Sequence, residues 1–339
     1  MVPEGAPAEG GSMQGTYGNG RLVTVFGGSG FVGRTIVRAL AMRGYRVRAA
    51  VRRPELAGFL RPLGMVGQVQ AVQANLRYPE SVAAALRGSV AAVNAVGVLF
   101  EKGRQSFDAV HVEGAEAIAA AARIEGLDAL VHVSQLGIDG MIDSENARTR
   151  REGEAAVRAA NPAAVILRPS VQFGPGDSFF NRFARMATTG PVLPIVGPDT
   201  KFQPVFVGDV AEIAARAVDG RIRSGRTYEL GGPEVLTFRR CMELMLEIIE
   251  RRRRIVAIPF GIAGPMGSVL GRLPGRLLTR DQVRQLRHDT IVSPEAIAEG
   301  RTLPGVGIEP ASLAAILPTY LLSYRPAGQF ARIRKVEQG

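Results

Sequence analysis

The sequence predicts an α/β fold built on a doubly wound parallel sheet, and three observations predict it. Short apolar, β-branched runs alternate with alanine-rich amphipathic stretches through the first 220 residues, the pattern of a parallel sheet covered by helices on both faces. The first such run ends in Gly27-Gly28-Ser29-Gly30-Phe31-Val32-Gly33, a strand-to-helix turn with glycines at three-residue spacing. The chain has 339 residues, 46% hydrophobic and 22% charged, ample for one large or two coupled cores.

Leu22–Phe26 is the first expected strand, and a helix runs on from the glycines to about Arg43. Arg46–Val51 is the second strand and Val69–Val72 the third, followed by a helix from Pro79 to Arg87. Ala91–Val96 is a fourth strand, Phe107–Ile124 a long helix and Ala129–Ser134 a fifth strand. Arg148–Ala160 reads as a helix and Ala164–Arg168 as a sixth strand, and Val205–Val207 with Val210–Val218 repeats the strand-then-helix pattern. Together they describe a Rossmann-type domain over residues 21–220. Residues 221–339 are rich in Gly and Pro and read as a smaller C-terminal α/β docking region, in a division that leaves room for the two parts to interleave. It ends in a basic tail with Arg325, Arg332, Arg334 and Lys335. Residues 1–20 are glycine-rich, carry no Lys or Arg, and read as a disordered tail rather than a secretory or organelle signal.

A backbone that turns from strand to helix without Cβ atoms can bring its N–H groups against a pyrophosphate, with the positive end of the helix facing the negative charge. Gly27, Ser29, Gly30, Phe31, Val32 and Gly33 are therefore the candidate dinucleotide contacts. About twenty residues on, an acid suits the ribose 2′-hydroxyl of NAD and an arginine the 2′-phosphate of NADP. Arg52 and Arg53 stand there, with no acid before Glu55. A guanidinium can fork onto a phosphate with two parallel hydrogen bonds, so the expected cofactor is NADPH, with Arg52 the better-placed residue.

Composition narrows the function. Cys241 is the one cysteine, which excludes an intramolecular disulfide and a cysteine metal cluster. His111, His132 and His288 are the only histidines, so no metal site is expected, and His132 lies in a strand-like run as a packed core residue. The net charge is +11 and lysine occurs only at Lys102, Lys201 and Lys335. Such a balance suits an anionic partner. No aromatic-interleaved basic groove or helix-turn-helix pattern is present and tryptophan is absent, so nucleic acid is not an expected partner. No uncharged apolar run reaches the length of about 18 residues that a spanning helix needs.

With these segments in place the chain resembles the extended and atypical short-chain dehydrogenase/reductase family. The matching pieces are the glycine turn, Asn75-Leu76, Asn94-Ala95-Val96-Gly97, His132-Val133-Ser134 and Leu167-Arg168-Pro169-Ser170-Val171-Gln172-Phe173-Gly174-Pro175-Gly176, with Phe202–Val210 and Tyr228–Pro233 continuing the match. The resemblance adds Asn75, Leu76, Ala95, Val96, Gly97, Ser134, Arg150, Pro169, Ser170 and Phe173 to the cofactor-binding residues. Two late segments, Leu278–Val283 and Leu303–Pro310, resemble the NAD(P)H-binding accessory subunits of respiratory complex I (NADH:ubiquinone oxidoreductase). That likeness implies a peripheral subunit holding NADPH near the junction of the peripheral and membrane arms, with other complex I subunits as partners. Without a transit peptide, the expected location is the cytoplasmic face of a bacterial inner membrane.

Active members of the wider family use a tyrosine and, four residues later, a lysine on one helical face, a spacing that stacks the two side chains. The lysine lowers the phenol pKa so that the phenol can exchange a proton, and a serine at the end of the fifth strand orients the carbonyl. Ser134 is present, but the tyrosine position holds Asn146 and the lysine position Arg150. None of the six tyrosines has a lysine four residues on, so a shifted register does not restore the pair. The three positions read as vestigial and no catalytic residue is expected; Asp139, Asp143, Glu145 or His132 are the alternative acids. The competing readings are an NADPH-dependent reductase or epimerase and a nucleotide-sensing regulator.

Glu250-Arg251-Arg252-Arg253-Arg254 leads into sixteen uncharged residues, Ile255–Leu270, followed by Arg272, Arg276 and Arg280. A basic rim around an apolar patch suits a membrane interface, and a core helix behind a basic turn is the plain alternative. The likeness to a membrane-adjacent subunit favours docking through residues 251–280.

Overall fold

The computed structural model describes residues 18–270 and 278–326. Most of the expected glycine-rich tail, the basic residues Arg332, Arg334 and Lys335, and Arg272 and Arg276 of the docking segment lie outside the described residues.

The chain opens with β1 (Leu22–Phe26), α1 (Phe31–Met42), β2 (Arg46–Val51), β3 (Val69–Gln73), α2 (Pro79–Leu86) and β4 (Ala91–Asn94). It continues with α3 (Gly114–Ile124), β5 (Ala129–Val133), α4 (Glu145–Ala160), β6 (Val165–Pro169) and β7 (Gln172–Phe173). Next come α5 (Phe180–Thr189), β8 (Val192–Val196), β9 (Lys201–Phe202), β10 (Val205–Phe206), α6 (Val207–Val218) and β11 (Thr227–Leu230). Then β12 (Leu236–Thr237), α7 (Phe238–Ile248), β13 (Arg254–Ile258), α8 (Phe260–Leu270) and α9 (Arg280–Gln285) lead to the short helices α10 (Pro294–Ala298), α11 (Leu313–Ile316) and α12 (Pro318–Leu321).

Seven strands form one parallel sheet in the order β11-β6-β5-β4-β1-β2-β3. The direction of winding reverses between β1 and β4, whose register pairs Val23 with Ala91 and Phe26 with Asn94. Crevices at such switch points, beyond the carboxyl ends of the strands, are where doubly wound sheets bind ligands. Alternate strand residues feed two cores. Val23, Val25 and Val93 pack under α1 and α6 with Ile36, Leu40 and Ile213, all fully buried. Phe26 and Ala92 face α2, α3 and α4, with Leu86, Ile118 and Val157.

A third core lies beyond β6, where Phe173, Phe180, Leu193, Phe238, Met242 and Leu317 are buried together. It crosses residue 220 in both directions. β13 pairs in parallel with β8, and β11 joins the large sheet beside β6.

The expected Phe107–Ile124 helix is two helical types in series: residues Asp108–Glu113 are π-helical and the α-helix begins at Gly114. Wide π turns recur at functional sites, and this one carries His111 inward. Helix α4 starts at Glu145, a turn earlier than Arg148, because Ser144 caps it by accepting from the Ala147 N–H at 3.2 Å. Asp281 holds the same turn, accepting from the Ser144 hydroxyl and the Glu145 N–H. Thr279 and Gln282 form a capping box that starts α9 and so fixes Asp281. The late segment Leu278–Val283 thus builds the entrance to α4. Arg325, expected in a basic tail, is pinned instead, bonding the Ile248 carbonyl and Glu250.

Candidate functional site

Gly27 stands at φ +75°, and a Cβ there would lie 2.9 Å from the Ala95 carbonyl oxygen. Only glycine lets the loops after β1 and β4 touch across the switch point. A Cβ on Gly33 would lie 2.1 Å from the Gly27 carbonyl oxygen, so the third glycine seats α1 on the turn. Gly30 is the N-cap and offers no side-chain acceptor, which leaves the first-turn N–H groups of α1 for an anion. Ser29 and Gly30 are exposed, and Phe31 and Val32 half-buried, at this edge.

Arg52 and Arg53 are exposed at the end of β2. Arg52 donates to Gln105, a residue of the loop after β4. Asn75 follows β3, its side-chain oxygen accepting from the Arg77 backbone, and Leu76 packs against Gly114 of α3. Ala95, Val96 and Gly97 follow β4, with the Val96 N–H bonded to Asn94.

Ser134, Asn146 and Arg150, the positions expected to be vestigial, converge on this edge. Asn146 is buried, donates to the Val98 carbonyl at 2.9 Å and accepts from Arg150 Nε at 2.9 Å. Both ends of the amide are therefore spent on structure. One Arg150 terminal nitrogen lies 3.0 Å from where a Gly97 Cβ would be. Arg150 pairs with no carboxylate at ion-pair distance among the described residues, because Glu154 is bound by Arg168 at 2.8 Å. Burial pushes its pKa down to about 10, against the pull of Glu154, so it stays charged at neutral pH. Ser134 is 4% exposed and its hydroxyl has no hydrogen-bond partner among the described residues.

Two buried histidines flank the charge. His111 accepts the Val98 N–H at Nε2 and bonds Thr149 through Nδ1, a pattern that requires the neutral ring. Burial, then the Arg150 charge, push its pKa down to about 2. The same two causes push His132, bonded to Asn94 at 3.1 Å, down to about 4. His132 is the packed core residue expected of it. The other alternative acids are engaged as well: Asp139 with Arg168, Asp143 with His288 and Glu145 with Arg148.

Not every expected contact faces the cleft. Pro169 ends β6 and is buried. The Ser170 hydroxyl is taken by the Thr290 carbonyl at 2.8 Å. Phe173 is fully buried, its ring against Phe180 and Phe206. Its side chain belongs to the third core, because β7 pairs with β10 there. Sequence reasoning missed His111, Gln105 and Arg34; the last bonds the Pro175 and Gly176 carbonyls, more than 140 residues away in the chain.

The residues fit a dinucleotide: a cradle that Cβ atoms would fill, a helix end with no side-chain cap and, among the described residues, a charge without a carboxylate and a buried hydroxyl without a partner. Among the described residues no group of His, Cys, Asp and Glu could hold a metal ion.

The docking segment is split by Pro259. β13 is largely exposed, with Val256 at 46%, and α8 buries Ala263 while leaving Ile262 62% exposed. Arg251 and Arg253 bond the Tyr324 and Ala187 carbonyls, whereas Arg252 and Arg254 are exposed. A groove of about 560 Å³ between α8 and α9 is lined by Phe260, Pro265, Arg280, Arg284, Arg287 and Asp143. No described helix is long and apolar enough to cross a membrane.

Comparison with known proteins agrees with this geometry. Residues 27–171 match an NAD(P)H-binding family and residues 143–259 the RmlD substrate binding domain. The chain is 33% identical over 307 residues to the mitochondrial NADH-ubiquinone oxidoreductase 40 kDa subunit of Neurospora crassa, covering 90% of this chain and 80% of that one. It is 32% identical over 323 residues to the mitochondrial NADH dehydrogenase [ubiquinone] 1 alpha subcomplex subunit 9 of Arabidopsis thaliana, covering 91% and 79%. The fold matches that of Thermus thermophilus UDP-glucose 4-epimerase in complex with NAD, with a TM-score of 0.67 at 20% identity over 90% of this chain and 99% of that one.

Proposed function

Because the chain belongs to the family of the 40 kDa subunit, or alpha subcomplex subunit 9, of NADH–ubiquinone oxidoreductase, we propose that it is an accessory subunit of respiratory complex I that holds NADPH without turning it over. The observation that carries this reading is Asn146. The position that would carry the phenol is filled by an amide whose donor and acceptor both serve the fold. The nucleotide cleft around it keeps its glycine cradle, its helix end and a fixed charge.

In this reading the α1 N-terminus meets the pyrophosphate, Arg52, backed by Arg53, the 2′-phosphate, and Arg150 and Ser134 the nicotinamide-side ribose. NADPH, when bound, could supply a hydride; the chain's own residues bind and orient it but offer no proton donor. Removal of a positioned acid–base group lowers a rate by about a hundred- to ten-thousandfold. The nucleotide then acts as a folding ligand.

Docking follows from the same premise. Arg280, Arg284 and Arg287 rim an apolar floor, and Ile262 and Val256 stand exposed nearby. Cations at the rim suit lipid phosphates while apolar side chains dip inward. We place the subunit peripherally at the cytoplasmic face of a bacterial inner membrane, near the junction of the two arms.

A tagged chain expressed in its own membranes should co-purify with intact complex I and carry NADPH. Steady loss of absorbance at 340 nm on mixing the purified chain and NADPH with carbonyl compounds would refute the non-catalytic reading. The Ser134 hydroxyl, unpartnered among the described residues, and the intact family motifs favour a reductase, and the same assay decides it.

A further inference from the structure

The segment after β7 crosses toward α1 as a strap. Its foot is fixed. Asp177 is 4% exposed, accepts from the Gly174 and Asn181 N–H groups, and takes the Tyr320 hydroxyl at 2.5 Å. Its crest, Pro175 and Gly176, is exposed. Among the described residues the only hydrogen bonds to the crest carbonyls come from Arg34, at 3.1 Å and 3.4 Å. Gly174 and Gly176, on either side of Pro175, stand at φ +147° and +83°, conformations that favour glycine at both positions. A Cβ on Gly176 would lie 2.4 Å from the Arg34 guanidinium, so the second glycine also makes room for this contact.

Arg34 follows Gly33 directly, at the end of the first turn of α1. Its guanidinium lies 5.5 Å from the Phe31 ring centroid and pairs with no carboxylate among the described residues. One terminal nitrogen makes both strap bonds. The group has five N–H donors in a rigid fork, and its full positive charge stands beside the helix end that the previous reading assigns to the pyrophosphate. A charged donor bound only to neutral carbonyls keeps most of its attraction for an anion.

We propose that Arg34 is a second nucleotide-binding arginine. It contacts the pyrophosphate from α1 and, through Pro175 and Gly176, straps the 174–176 segment across it. Nucleotide release then requires this one side chain to let go. The proposal rests on the reading of the cleft as an NADPH site and adds to it a residue that controls retention.

The test uses the full chain with Arg34→Ala and Arg34→Gln, titrated with NADPH by fluorescence and with adenosine 2′-monophosphate by competition. The smaller compound keeps the phosphate assigned to Arg52 and lacks the pyrophosphate. Hydrogen bonds to charged groups predict that Arg34→Ala weakens NADPH about tenfold or more and speeds its release. Adenosine 2′-monophosphate should change by less than about twofold. Arg34→Gln keeps a donor for the strap but no charge, and should bind NADPH nearly as weakly as Arg34→Ala. Equal weakening of both compounds, or NADPH affinity unchanged in either variant, overturns the proposal. A wild-type chain that binds neither compound overturns the nucleotide reading itself and this proposal with it.

Discussion

Asn146 is where the two histories of this cleft meet. Its amide ties α4 to the loop after β4 through its N–H and steadies Arg150 through its oxygen, and it carries no proton that titrates near neutral pH. Asn146→Ala leaves the half-buried Val98 carbonyl without this donor and frees a mostly buried guanidinium. We expect a loss of about 1–3 kcal/mol in urea unfolding, because the residue is structural. A loss within experimental error would mean that the amide bonds are dispensable. His111 and His132 give a second prediction. Their folded pKa values, about 2 and about 4, lie below the ordinary 6.5. Below pH 6.5 the unfolded chain takes protons that the folded chain refuses, so stability falls as pH drops. Each histidine contributes up to about 1.4 kcal/mol per pH unit, and for His132 the contribution levels off near pH 4. His132→Gln should flatten the fall in unfolding free energy between pH 7 and 5 by about one proton. An unchanged slope would place its proton in both states.

At the level of elements, the sheet was legible because buried parallel strands announce themselves as short apolar runs bounded by turns. Five strands of the large sheet, β1 to β5, and β6 were read within a residue or two of their ends. What stayed hidden has physical reasons. A π turn and an α turn bury apolar residues at similar spacing, so the change at Gly114 left no trace in residues 107–124. β11 reads as an isolated run after a glycine-rich stretch, and only its pairing with β6 attaches it to the sheet. The start of α4 depends on Ser144, which resembles any polar loop residue until Asp281, 137 residues later, is brought to it. The site was half legible for the same reason. Glycine spacing and Arg52 are local signals, while Arg34 and Gln105 act through partners that are remote or on other loops. The cap itself can be tested. Ser144→Ala removes the acceptor for the Ala147 N–H and should cost about 1 kcal/mol. In hydrogen exchange the first turn of α4 should open before the rest of the helix. Uniform exchange along α4 would show that packing alone holds its start.

For the whole molecule, the cleft and the groove between α8 and α9 share the start of α4. Asp143 lines the groove between α8 and α9, and the next residue caps the helix that carries Asn146 and Arg150. Asp281 of α9 grips that cap from the other side. A ligand that binds only the folded cleft therefore stabilises the groove proposed for docking as well. Mass action sets the size: at a hundred times its Kd a nucleotide adds about 2.7 kcal/mol, and about 1.4 kcal/mol more for each further tenfold. The melting temperature of the wild-type chain should climb with the logarithm of NADPH concentration, and far less with NADH, which lacks the 2′-phosphate. Arg52→Asp reverses the charge offered to that phosphate, so it should erase the NADPH shift while leaving the NADH shift in place or raising it. Because Arg52 is exposed and bonded to a single loop residue, the variant's melting temperature without nucleotide should match the wild type. Equal loss of both shifts would remove Arg52 from the phosphate and leave the choice of coenzyme to other residues of the cleft.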